Sequence, residues 1–252
     1  MSRDQMQRQR FEQKYRLNED QAIAIREFVK DYLPLDENSV GKPDLSYPVH
    51  SLYLDSDLLK TYWDTVNGDR NRFKLRLRFY NDLPDSPVFL EVKRRVDRCI
   101  LKQRGGVRKE AVPWVLAGQL PGPEHLVSKD PRHLVAVQRF CELAQDLQAT
   151  PRVHVAYLRE AWVSAEDNSV RVTMDRAVQT EPRFAATFST AVTHGVMPFG
   201  HEVILELKFT DRYPLWFREL VEHFDLTQCG AAKYCEGVEA IGIERLTGPH
   251  GA

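Results

Sequence analysis

The sequence predicts an α+β fold: an antiparallel β-barrel of about eight strands, lined with charge and flanked by a few helices. Three observations carry this expectation. Eight short segments alternate apolar and polar residues with period two, so each has one apolar face. Only four segments repeat apolar residues at helical spacing. The Pro- and Gly-bearing stretches at 117–123 and 193–200 are too short for domain linkers, so one domain over residues 1–252 is expected.

The elements follow in chain order. "RFEQKYRL" (10–17) sets Glu12, Lys14 and Arg16 against Phe11, Tyr15 and Leu17. Asn18 opens the first helical segment with Gln21 three residues on, the spacing of a capping box, ahead of Ala22, Ile25 and Phe28 on one stripe. "HSLYLDS" (50–56) reads as a strand and "DLLKTYWDTV" (57–66) as a short helix. "FKLRLRFY" (73–80) places Phe73, Leu75, Leu77 and Phe79 on one face and Lys74, Arg76 and Arg78 on the other. "VFLEVKRR" (88–95) sets Glu91, Lys93 and Arg95 against Val88, Leu90 and Val92, and "RCILKQR" (98–104) sets Lys102 and Arg104 against Cys99 and Leu101. A long helix is expected over "DPRHLVAVQRFCELAQDL" (130–147). "VHVAYLREAW" (153–162) opposes Tyr157 and Arg159 to Ala156 and Leu158. "SVRVTMDRA" (169–177) opposes Arg171, Thr173 and Asp175 to Val170, Val172 and Met174. "EVILELKF" (202–209) opposes Glu206 and Lys208 to Val203, Leu205 and Leu207, and "YPLWFRELVEHF" (213–224) completes the helices.

Three cations in line on one strand face need an explanation. Neighbours on that face sit roughly 7 Å apart and repel by about 2 kcal/mol at an effective dielectric near 20. Water relieves this outside; inside an enclosed space only anions can. With 35 Lys+Arg against 36 Asp+Glu the formal net charge is −1, which excludes a globally basic nucleic-acid binder. The basic faces also lack the interleaved aromatics of a base-stacking sheet. The expected arrangement turns the apolar faces outward under helices and the charged faces onto a lumen normally occupied by polyanion.

The four cysteines form no C-x-x-C pair, and five of the eight histidines, His50, His154, His194, His201 and His223, are lone residues with no ligand spacing, so structural or surface roles are expected for them. The polar opening MSRDQMQRQR and the lack of an apolar run of about 18 residues lead to the expectation of a cytoplasmic protein with reduced thiols and no membrane segment.

An E-x-K at Glu12 and Lys14, an R-x-R at Arg76 and Arg78, and a second E-x-K at Glu91 and Lys93 occur in that order. The set resembles the triphosphate tunnel metalloenzyme superfamily. The continuation "ILKQRGGVRKE", "YLREAW", "VRVTMD", "ILELKF" and "KYCEGVE" is similar to the VTC domain, the polyphosphate polymerase module of vacuolar transporter chaperone complexes and its bacterial relatives. The resemblance implies a tunnel that binds ATP or another nucleoside triphosphate together with polyphosphate. It implies phosphate contacts from Lys14, Arg76, Arg78, Lys93, Arg159 and Arg171, with Lys102 and Arg104 lining the tunnel and Tyr157 at the nucleotide end. Arg95, Lys208 and Lys233 join as basic groups on the same segments. Glu206 would hold Mn2+ or Mg2+, with Glu12, Glu91 or Asp175 either assisting or separating the cations. The chain departs from the family at Gly230, Ala231 and Ala232, where phosphate-gripping side chains are expected and only Lys233 remains. The implied reaction is attack of a terminal polyphosphate oxygen on the γ-phosphate of ATP, which asks positioning and neutralisation of the protein rather than a nucleophilic side chain. Hydrolysis of tripolyphosphate or nucleoside triphosphate, and binding without turnover, stand as alternatives.

Overall fold

A computed structural model describes residues 10–97, 99–166 and 168–248. Among them lie eight strands: β1 (Arg10–Leu17), β2 (Ser46–Asp55), β3 (Asn71–Phe79), β4 (Val88–Val96), β5 (Cys99–Val107), β6 (Thr150–Val163), β7 (Val170–Pro182) and β8 (Val203–Thr210). Six α-helices accompany them: α1 (Glu19–Val29), α2 (Lys60–Val66), α3 (Val112–Leu116), α4 (Pro131–Leu147), α5 (Leu215–His223) and α6 (Lys233–Ile241). The α+β class and the eight antiparallel strands agree with the sequence reading.

The chain divides into two compact units. The first takes the segment up to Pro48, Tyr157–Val178 and Phe199–Ala232; the second takes Val49–Ala156, Gln179–Pro198 and the segment from Lys233. In the first, β8 pairs with β1 on one side and β7 on the other, both antiparallel. In the second, β2 to β5 form an antiparallel meander.

Each unit covers the apolar face of its strands with helices. In the first, Tyr15, Leu17, Val172, Met174, Leu205 and Leu207 pack beneath Ala22, Ile25 and Val29 of α1 and Phe217 and Leu220 of α5. The capping box that starts α1 is formed: Asn18 Oδ1 accepts from Gln21 N at 2.8 Å, and Gln21 Oε1 accepts from Asn18 N at 3.1 Å. In the second, Leu52, Leu54, Leu75, Leu77, Phe79, Leu90 and Val92 pack with Val112 and Val115 of α3 and Val137 and Phe140 of α4. Helix α4 approaches β5 so closely that a Cβ at Gly105 would lie 2.7 Å from the His133 carbonyl oxygen, so glycine is required there.

Three local features differ from the sequence reading. Helix α3, five residues with a proline in its first turn, is too short for a periodicity to show. Helix α6 carries Gly237 at its centre, a residue that counts against helix by about 1 kcal/mol. A Cβ at that position would meet the Thr180 side chain at 2.8 Å, so packing rather than propensity selects the glycine. On β6, Tyr157 is buried and Leu158 is 43% exposed, the reverse of the expected apolar face.

Two of the histidines form a buried pair. His50 Nδ1 lies 3.1 Å from His154 Nε2, and both rings stack on Phe79. Burial lowers each to about 4 from an ordinary 6.5. Between those values the unfolded chain holds more protons than the folded one, so this contribution to stability is present above pH 6.5 and is lost as pH falls toward 4. For one such ring the loss is about 2 kcal/mol at pH 5. Urea melts should show the parent losing stability between neutral pH and pH 5, with a shallower slope for His154→Gln; equal slopes would contradict the assignment.

Candidate functional site

Strand register converts the charged faces into rows. In the second unit Lys74 lies opposite Lys93, and Lys93 opposite Lys102, so three lysines stand abreast on β3, β4 and β5. The next row along the same face is Arg76, Glu91 and Arg104. In the first unit Glu12 lies opposite Lys208 and Lys208 opposite Arg171, while Lys14 lies opposite Glu206 and Glu206 opposite Thr173. Like charges directly across a pair of strands destabilise a sheet. Each row of the first unit contains an acid, Glu12 or Glu206, although Lys208 stands opposite Arg171; the lysine row of the second contains none.

Glu91 is the acid that makes the second unit's face tolerable. Its side chain is fully buried and takes Arg76 Nη2 at 2.6 Å, Lys102 Nζ at 2.7 Å, Arg104 Nη1 at 3.7 Å and Arg78 Nε at 3.9 Å. Burial alone would raise the Glu91 carboxyl, but Arg76, Lys102, Arg78 and Arg104 together hold it well below the usual carboxylate range. Arg76 also donates to Tyr53 Oη at 3.0 Å, and Arg78 to Ser51 Oγ at 3.2 Å. Arg104 sits 3.6 Å above the Phe89 ring.

In the first unit Glu206 has the corresponding place. It takes Lys208 Nζ at 2.5 Å, Lys14 Nζ at 3.5 Å and Arg159 Nη2 at 3.6 Å. Lys14 also reaches Glu12 at 3.4 Å. Asp175 is buried and grips Arg159 through two bonds of 2.7 Å. Arg159 lies 5.1 Å from the centre of the Tyr157 ring, and Arg171 pairs with Asp36 at 3.0 Å. Burial, opposed only in part by Glu206, pulls Lys208 down to about 8.

Of the expected site residues, Arg76, Arg78, Lys93, Lys102, Arg104 and Glu91 share the second unit's face, and Lys14, Glu12, Arg159, Arg171, Asp175, Glu206, Lys208 and Tyr157 lie together in the first. Arg95 stands apart: it is exposed near the end of β4 and donates to the Asp97 carbonyl at 2.9 Å. Lys233 is buried in the first turn of α6. The departure at 230–232 has a structural counterpart, because the Ala231 carbonyl accepts from Lys14 Nζ at 2.8 Å. Lys74, Tyr53, Asp36 and Ser51 are the participants that sequence reasoning left unassigned; for Lys74 the alternation of β3 was a usable signal, for the others none was.

Among the described residues no group of three or more His, Cys, Asp or Glu is placed to hold a metal ion. Glu206, paired with Lys208, Lys14 and Arg159, is the site carboxylate with further acids near it, Glu12 linked through Lys14 and Asp175 through Arg159. It is therefore the candidate for an ion of the Mg2+ kind. Such an ion takes one or two carboxylates and fills its shell with water and phosphate oxygens. Glu91 fits a metal poorly, because four cations already surround it.

Comparison with known proteins gives one family and a set of fold likenesses. A family model described as the VTC domain matches residues 9–241. No curated protein matches the chain. Solved structures include a Bacillus halodurans protein named for a conjectured adenylate cyclase activity, at 12% identity and TM-score 0.47, covering 88% of this chain and 92% of that one. The PH1819 protein of Pyrococcus horikoshii OT3 shows 13% identity and TM-score 0.44, covering 90% and 96%.

Proposed function

Because the chain belongs to the VTC domain family, we propose that it is a phosphotransferase that extends polyphosphate with the γ-phosphate of ATP. The observation that carries this reading is the row of Lys74, Lys93 and Lys102, three lysines directly abreast in the strand register, with Glu91 of the next row reaching Lys102 at 2.7 Å. A sheet accepts such a row where a polyanion completes it.

The arrangement of side chains supports the following roles. Arg76, Arg78 and Arg104 offer planar guanidinium forks to phosphate oxygens, and the lysines act as point charges. Glu91 keeps the guanidinium groups oriented before substrate arrives. Asp175 does the same for Arg159 through its two-bond grip. Glu206, with Glu12 beside it, is the proposed holder of Mn2+ or Mg2+, which when bound would neutralise phosphate oxygens and help align the transferring group. In-line attack by a terminal polyphosphate oxygen then forms one P–O bond and breaks the bond to ADP, with no covalent enzyme intermediate.

A second reading, hydrolysis of tripolyphosphate or nucleoside triphosphate on the same faces, is favoured by one observation. At 230–232 no side chain is available to grip a growing polymer, and Lys14 is bound to the Ala231 carbonyl instead. Incubation with ATP and Mn2+ separates the two. Long-chain polyphosphate and ADP, abolished by a chelator, are expected; free phosphate would replace the polymerase reading with the hydrolase. Absence of turnover with both Mn2+ and Mg2+ would overturn both. Among the described residues no helix is long and apolar enough to cross a membrane.

A further inference from the structure

Lys74, a member of the lysine row, is turned onto α6. Its Nζ donates to Cys235 Sγ at 3.2 Å and lies 5.5 Å from the centre of the Tyr234 ring. The helix that carries the thiol is fixed in place: Tyr234 Oη donates to Asp55 Oδ2 at 2.7 Å, and the Tyr234 ring stacks on Tyr53 at 4.8 Å. Asp55 in turn accepts from the Thr61 and Tyr62 amides that begin α2. An amine and a thiol are therefore held in contact by two independently anchored elements.

We propose that Cys235 is an oxidation site whose sulfenic acid condenses with Lys74 to give a reversible sulfur–nitrogen cross-link between α6 and β3. With hydrogen peroxide as oxidant, the sulfur of Cys235 attacks one peroxide oxygen, the O–O bond breaks, and water leaves. Sulfur is oxidised by two electrons and peroxide is reduced by two. The uncharged amine of Lys74 then attacks that sulfur; the S–N bond forms, the S–O bond breaks, and hydroxide departs as water with the amine proton. Burial lowers Lys74 below the ordinary lysine value, which raises the share of uncharged amine available for this step. Two equivalents of an external thiol reverse the link, restoring Cys235 and Lys74 and yielding a disulfide of the reductant. Cys141, the other buried cysteine, is pushed up to about 11 by burial.

The consequence for binding rests on the polyphosphate reading. The link takes one positive charge out of the row of Lys74, Lys93 and Lys102, so oxidation should weaken the grip on phosphate.

The test separates the two claims. The protein is treated with hydrogen peroxide, quenched, digested and mapped by mass. A peptide joining residues 74 and 235, lighter than the sum of its parts by two hydrogens, is expected. It should revert with dithiothreitol and be absent from Cys235→Ser and from Lys74→Arg. Cys235 recovered unmodified, or oxidised without a link, overturns the proposal. Tripolyphosphate titration of the linked protein should show affinity reduced by roughly tenfold, the worth of one charge-assisted contact, and recovered on reduction. A link that forms while affinity stays at the parent value would overturn the claim that it gates the row, leaving the chemistry intact.

Discussion

Glu91→Gln should cost the ligand-free protein about 3–5 kcal/mol, because removing one partner of a buried ion cluster leaves the other charges uncompensated. Here the uncompensated set is Arg76, Arg78, Lys102 and Arg104, all within 3.9 Å of a carboxylate that solvent does not reach. Glutamine keeps the shape and one acceptor but supplies no negative charge. The same substitution should make the protein unusually responsive to polyanion. Ligand that binds only the folded state adds about 2.7 kcal/mol at a hundredfold excess over Kd, and in the variant that ligand also replaces the missing counterion. Urea melts of parent and Glu91→Gln, each with and without tripolyphosphate, measure both effects. A variant as stable as the parent would show that the cluster is not held together by this carboxylate.

Leu75→Ala and Arg76→Ala, one residue apart on β3, should fail in opposite ways. Leu75 is fully buried under the second unit's helices, so its truncation should cost about 2–5 kcal/mol through lost burial and a residual cavity. The fraction that stays folded should bind ATP nearly as the parent does. Arg76→Ala removes a side chain that touches Glu91 and Tyr53 on the other face. Three cations remain on Glu91, so stability should change little, while ATP affinity should fall at least about tenfold. A thermal melt and an ATP titration of the two variants suffice. If Arg76→Ala bound ATP like the parent, the charged face of β3 would be an ordinary solvated one.

Much of this was readable from the sequence because period-two alternation is a local signal. The boundaries of β1 coincide with "RFEQKYRL", and "FKLRLRFY" divides into faces as its alternation requires. Register is not local. Nothing in β3, β4 or β5 alone says that Lys74, Lys93 and Lys102 stand abreast, or that Glu91 lands between Arg76 and Arg104. That pairing surrounds Glu91 with cations and so favours a counterion over a metal ligand, where sequence reasoning left both open. Helix α6 was hidden by Gly237, whose presence answers to the Thr180 side chain. His50 and His154, 104 positions apart, could be assigned structural roles from their spacing but not to each other.

The central claim is that the cationic strand faces exist to hold a chain of phosphates. Its most direct test is the melting temperature of the ligand-free protein in rising tripolyphosphate, at low and at high salt. The account predicts a rise of several degrees that shrinks as ionic strength increases, since partly exposed charges on these faces are screened. A melting temperature indifferent to tripolyphosphate at low salt would contradict it.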